Sequence, residues 1–148
     1  MKLVFSVLTL LLGQFAFASE KSTSDDPFVL IVNAQSNIQT LSQKELRSLF
    51  SLRRSVWTDG SDVHLVTMPT GHALHKSFIE KQLKLFPYQL KRIWDRQIFS
   101  GSAVRPIHAN SVSEVIELVG KTKGAIGYSP SSEIKAIKNE QVKIISIK

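Results

Sequence analysis

Residues 28–32 read Phe28-Val29-Leu30-Ile31-Val32, an unbroken apolar run rich in β-branched side chains. A strand with one face in water alternates apolar and polar residues. An uninterrupted run is stable only where both faces are covered, as in a parallel sheet. The run therefore predicts an interior strand with helices on either side. Gly124-Ala125-Ile126-Gly127-Tyr128, bounded by glycine turns, predicts a second short buried strand of the same kind.

Between and beyond these runs the pattern alternates helix with strand. Asn33–Thr40 reads as a polar loop. Ser42-Gln43-Lys44-Glu45 is a capping box with Leu46, Leu49 and Phe50 behind it, which predicts a helix over Ser42–Phe50. Thr58-Asp59-Gly60-Ser61 is a turn by composition. Val63–Met68 is a strand, broken by Pro69-Thr70-Gly71, and a helix follows over Ala73–Leu85. Pro87 suits the first turn of a helix carrying Leu90, Ile93, Trp94 and Ile98 on one face. Gly101–Pro106 is a loop, and Ser111-Val112-Ser113-Glu114 starts a helix with Val115, Ile116, Leu118 and Val119. Glu133–Ile137 is a further helical turn, and Val142–Ile147 a closing strand. The order is that of one α/β domain with a mostly parallel or mixed sheet, expected over residues 28–148.

The N-terminus has the pattern of a secretory signal. Lys2 supplies the positive charge, Leu3–Leu12 the apolar run, and Ala16-Phe17-Ala18 the small residues a signal peptidase reads. Cleavage is expected after Ala18, with Ser19–Pro27 as a polar, disordered leader. The apolar run is shorter than the roughly 20 residues a spanning helix needs, so no membrane span is expected after cleavage. A periplasmic location follows from this pattern.

The chain has no cysteine, which excludes thiolate metal sites, thiol nucleophiles and disulfides. Its net charge of +7 is compatible with an anionic ligand or an acidic partner. The basic residues are dispersed, with Arg53-Arg54 the densest spot, so nucleic acid is not expected. No nucleophile elbow, zinc-binding helix, P-loop or dinucleotide fingerprint occurs, and the chain does not read as an enzyme.

Leu46-Arg47-Ser48-Leu49-Phe50, Trp57-Thr58-Asp59-Gly60 and Gly124-Ala125-Ile126-Gly127-Tyr128 occur in the order and spacing of phosphate-type periplasmic substrate-binding proteins. The chain resembles that family from about Phe28 to Tyr128. The resemblance implies a type II periplasmic-binding-protein-like fold. Full-length members have two lobes that close on the anion, and this chain has length for one. In the two-lobed members an "R-x-D-G-S-G-T" segment holds phosphate. The matching stretch here is Met68-Pro69-Thr70-Gly71-His72-Ala73-Leu74. Gly71 is retained, whereas Met68, His72 and Leu74 stand where Arg, Ser and Thr would be.

A loop at the carboxyl end of a strand, opening a helix, is where open α/β sheets bind ligands, and its free N–H groups favour anions. The expected anion-binding residues are Thr70, Gly71, His72 and Lys76, with Arg105 from the 101–106 loop as a further cation. The same features have plainer explanations. Thr70 can cap the helix, His72 and His75 can lie on the surface, and Arg105 can be an exposed arginine. His72, His75 and His64 lack a carboxylate to complete a metal set, so neither a metal nor a cofactor is expected. Trp57 and Trp94 fit core packing better than a ligand groove.

Two functions are compatible with this reading. One is an exported substrate-binding-like protein taking phosphate or a related oxyanion for an ABC-type uptake system, with a permease as partner. The other is a non-catalytic adaptor that keeps the lobe fold and docks onto an envelope protein.

Overall fold

A computed structural model describes residues 26–137 and 139–148. The expected signal peptide over 1–18 and residues 19–25 of the expected leader lie outside the described residues. Six strands, β1 (Phe28–Asn33), β2 (Thr40–Leu41), β3 (His64–Thr67), β4 (Ile107–His108), β5 (Ala125–Pro130) and β6 (Val142–Ile147), form one sheet in the order β2-β6-β1-β5-β3-β4. The helices are α1 (Gln43–Phe50), α2 (Ala73–Phe78), α3 (Pro87–Phe99), α4 (Val112–Lys121) and α5 (Ser131–Ala136). Among the described residues no helix is long and apolar enough to cross a membrane.

The apolar run at 28–32 is an interior strand, but its pairing differs from the parallel arrangement expected. β1 runs antiparallel to both β5 and β6, while β3 is parallel to β4 and β5, and β2 is parallel to β6. Cover on both faces, rather than strand direction, explains the unbroken pattern. Leu30 and Val32 pack with Leu46, Leu49 and Phe50 of α1, Phe78 of α2, and Leu90 and Trp94 of α3. Ile31 faces the opposite layer, with Val112, Val115, Ile116 and Val119 of α4 and Ile134 of α5. The sheet is thus the middle of three layers, each apolar side chain of β1 removed from water by one helix layer or the other.

The expected capping box on α1 is formed. Ser42 Oγ accepts from Glu45 N at 3.2 Å, and Glu45 Oε2 accepts from Ser42 N at 2.9 Å. The helix expected over 73–85 is divided. α2 ends at Phe78, and Ile79–Leu83 winds on as one wider π turn, closed by Lys84 in the left-handed region at φ 54°. Arg47 of α1 donates from Nε to Leu83 O at 2.6 Å and from Nη2 to Lys84 O at 3.1 Å. These bonds satisfy carbonyls that the end of a helix leaves free. Both tryptophans are core residues with their N–H groups paired: Trp57 Nε1 donates to Gly124 O at 2.9 Å, and Trp94 Nε1 to Phe50 O at 2.6 Å.

Two strands escape the sequence pattern. β2 lies at the end of the expected 33–40 loop, and β4 follows the expected 101–106 loop. Each is only two residues long, too short to show a period.

Candidate functional site

Because β3, β4 and β5 run parallel, their carboxyl ends lie on one edge of the sheet. From that edge the chain passes into α2, α4 and α5 in turn. An open α/β sheet presents its ligand-binding loops there.

Each helix start at this edge is shaped by a group from the chain itself. At α4, Ser111 Oγ accepts from Glu114 N at 3.1 Å, and Glu114 Oε2 accepts from Asn110 N at 2.7 Å. At α5, the Asp26 carboxylate accepts from Ser132 N at 3.1 Å and from the Ser132 hydroxyl. These two bonds hold the Asp26 carboxyl below the usual carboxylate range. Pro27 O accepts from Ser131 N at 2.9 Å, so the last residues of the expected leader are tied to the domain. At α2 the cap is His72, whose Nδ1 accepts from Leu74 N at 3.2 Å. The structure thereby corrects the reading of Thr70 as the capping residue: Thr70 lies two residues earlier, exposed in the turn closed by His72 N donating to Pro69 O at 2.8 Å. With Nδ1 acting as acceptor, the His72 ring proton sits on Nε2.

The structure brings Thr70, Gly71, His72 and Lys76 together in one turn and the helical turn that follows it. Thr70, Gly71 and Lys76 are exposed and His72 is half-buried. A Cβ added to Gly71 would meet nothing within 4 Å, so the loop leaves room above its backbone.

His75 is the residue that sequence reasoning missed. It is 1% exposed, not a surface residue. Its Nδ1 lies 2.7 Å from Tyr128 Oη, and that oxygen accepts from Met68 N at 3.2 Å. The phenol proton has no other acceptor among the described residues, so it points to Nδ1 and leaves the imidazole proton on Nε2. Burial, aided by the nearby His108 and His72, pushes the His75 imidazole down to about 4, so it is neutral at physiological pH. Burial likewise pushes the Tyr128 phenol up, with the Met68 N–H bond opposing it. Phe78 stacks on the Tyr128 ring at 3.9 Å between centroids, and Trp94 lies 5.6 Å from the His75 ring.

Two buried polar atoms near the ends of these elements, His75 Nε2 on α2 and Thr67 Oγ1 on β3, have no hydrogen-bond partner among the described residues. Thr67 is the last residue of β3, and its register partner on β4 is His108. Buried polar groups are almost always paired, so each of these atoms is an exception to the usual accounting. Among the described residues no group of three His, Cys, Asp or Glu is placed to hold a metal.

Arg105 lies elsewhere. The register Val66↔Ile107 sets it level with His64, the first residue of β3. That is roughly 10 Å or more from the carboxyl end at strand rise. There it lines a cavity of about 340 Å³ with Arg54, Asp62, His64, Leu49 and Leu52. Arg54 in that cavity is already engaged, donating to Val56 O at 2.8 Å and pairing with Glu45 at 3.4 Å.

No protein-family model and no curated protein sequence matches the chain. Solved structures do. An ABC-type phosphate transport receptor from Vibrio cholerae superposes with a TM-score of 0.61 at 17% identity, covering 82% of this chain and 46% of its own. PstS from Borrelia burgdorferi gives 0.63 at 19% identity, with 83% and 47% covered. A putative phosphate ABC transporter substrate-binding protein from Clostridium perfringens, solved with bound phosphate, gives 0.62 at 12%, with 82% and 45% covered. The chain spans less than half the length of each, which is the share that one lobe of a two-lobed protein takes. The chain has the α/β fold of phosphate ABC transporter substrate-binding proteins, in the form of a single lobe.

Proposed function

We propose that this chain is an exported, non-enzymatic substrate-binding-like lobe that holds phosphate or a related oxyanion weakly at the β3–α2 loop. The observation that carries this reading is the open turn at Thr70–Gly71, exposed after the carboxyl end of β3 with room above its backbone. His72 Nε2–H and the Lys76 ammonium supply donors on the same turn. A neutral imidazole donor and a threonine hydroxyl suit an oxyanion, and the exposed side of the loop accounts for low affinity, because water screens the charge-assisted bonds there. The signal pattern at Lys2 to Ala18 supports a periplasmic location. The phosphate transport neighbours support a role beside an ABC permease.

A thermal-shift screen against oxyanions at matched ionic strength tests the reading. Phosphate at about fifty times a weak dissociation constant stabilises by roughly 2 kcal/mol, a rise of several degrees. An unchanged midpoint across phosphate, sulfate and arsenate would overturn it.

A second reading, the envelope adaptor, rests on how little of this edge is left to a free anion: Glu114 and Asp26 carboxylates already occupy the starts of α4 and α5. Under that reading the edge faces a protein, and no oxyanion moves the melting midpoint.

A further inference from the structure

α3 buries Leu90 and Trp94 and leaves its opposite face to solvent. Along that face Tyr88, Arg92 and Arg96 follow at four-residue intervals, and Phe99 closes the row. These positions share one side of a helix, over a length of about 16 Å. Tyr88 is 60% exposed and Phe99 83%. Phe86, just before the helix, stacks on Tyr88 at 5.7 Å between centroids with the rings 9° apart. These two rings therefore pack on each other in water.

Arg53, from the turn after α1, lines a cavity of about 250 Å³ with Arg92 and Arg96. The bond from Trp94 Nε1 to Phe50 O fixes the two segments side by side. Ion pairs join Arg54 to Glu45, Lys91 to Asp95 and Lys121 to Glu117, and among the described residues none of these three guanidinium groups lies within 4.0 Å of a carboxylate. Three like charges around one small cavity repel each other, and an entering carboxylate converts that repulsion into attraction. Guanidinium is also the cation whose fork matches a carboxylate with two parallel bonds. Exposed aromatic residues beside arginines have the composition of interface hot spots.

A free oxyanion would cover only the middle of this row and leave its aromatic ends in water. We infer that the outer face of α3, together with Arg53, is a docking surface for a protein segment that carries carboxylates between apolar side chains. The surface shares no residue with the β3–α2 loop, so the inference stands or falls independently of oxyanion binding.

The test is selection of a displayed random-peptide library on the purified chain, followed by affinity measurements with the selected peptides. The expected peptides carry Asp or Glu flanked by aromatic or aliphatic residues. Their affinity should fall about tenfold or more in Arg92→Glu/Arg96→Glu and in Tyr88→Ala, each of which alters only exposed positions. Lys121→Glu/Lys123→Glu makes the same change in net charge away from this face and should leave the affinity unchanged. Peptides without acids, or equal losses in both charge variants, would overturn the inference. So would binding to phosphatidylglycerol vesicles with no peptide selected, or a dimer of the chain that the Arg92→Glu/Arg96→Glu change dissociates.

Discussion

Tyr128 Oη and His75 Nδ1 lie 2.7 Å apart inside the domain, joining β5 to α2. The same oxygen receives Met68 N–H at 3.2 Å, so one hydroxyl ties together the strand before the β3–α2 loop, the helix after it and the strand beside both. The Phe78 ring stacked on Tyr128 holds that hydroxyl in place.

Tyr128→Phe keeps the stacking and removes the oxygen. It leaves the Met68 N–H and His75 Nδ1 buried without partners, at a cost of about 1–3 kcal/mol for each unsatisfied group. Chemical denaturation should show a total loss of about 2–6 kcal/mol for the two groups. Unchanged stability would mean that the bond does not form.

The His75 imidazole carries a pH dependence with a definite sign. Its value of about 4 in the folded chain is below the ordinary 6.5, so between these values the unfolded chain takes the proton and the folded chain does not. The contribution is whole above pH 6.5 and is lost as pH falls toward 4, amounting to about 3 kcal/mol. The carboxyls of Asp26, Glu45, Asp59 and Glu117 are held below their ordinary range by hydrogen bonds and titrate beneath most of this window. His75→Gln keeps an acceptor for the Tyr128 hydroxyl and binds no proton. Urea denaturation between pH 7 and 4.5 should show a steep loss in the native chain and a much flatter profile in the variant.

Gly124 and Gly71 should respond oppositely to alanine. Gly124 has φ of 79°, and a Cβ there would lie 2.2 Å from Asp62 O, a backbone atom that cannot step aside. Gly124→Ala should cost more than about 3 kcal/mol or prevent folding. Gly71→Ala meets open space and should stay within about 0.5 kcal/mol in the same denaturation assay. A large loss at Gly71 would show that the loop backbone is more constrained than its geometry indicates.

Much of this architecture is legible in the residues because burial leaves a periodic mark. The run at 28–32, the capping box at Ser42, the cap at Ser111 and the strand that includes Ala125–Tyr128 each report a covered face or a satisfied helix end. The antiparallel setting of β1 is not legible, since a strand covered on both faces reads alike in either direction. The π turn at 79–83 leaves no mark either, because Ile79 and Leu83 fit an ordinary helix equally well.

At the candidate site, the clustering of Thr70, Gly71, His72 and Lys76 follows from their adjacency. The separation of Arg105 depends on the β3–β4 register, which no local pattern encodes. His75 reads as a surface residue three positions beyond His72. Only its position on the same helix face as Ile79, a turn before it, hints at burial, and Tyr128, its partner, is 53 residues away.

The most direct test of the oxyanion reading is a phosphate titration followed by amide and imidazole nitrogen shifts at constant ionic strength. Binding at the β3–α2 loop should move residues 67–76, including the His75 and His72 side chains, with a dissociation constant of about 1 mM, equivalent to roughly 4 kcal/mol. Thr70→Ala/Lys76→Ala should abolish those shifts. A micromolar constant would contradict a weak, one-sided site, and unchanged signals over 67–76 at saturating phosphate would contradict the site itself.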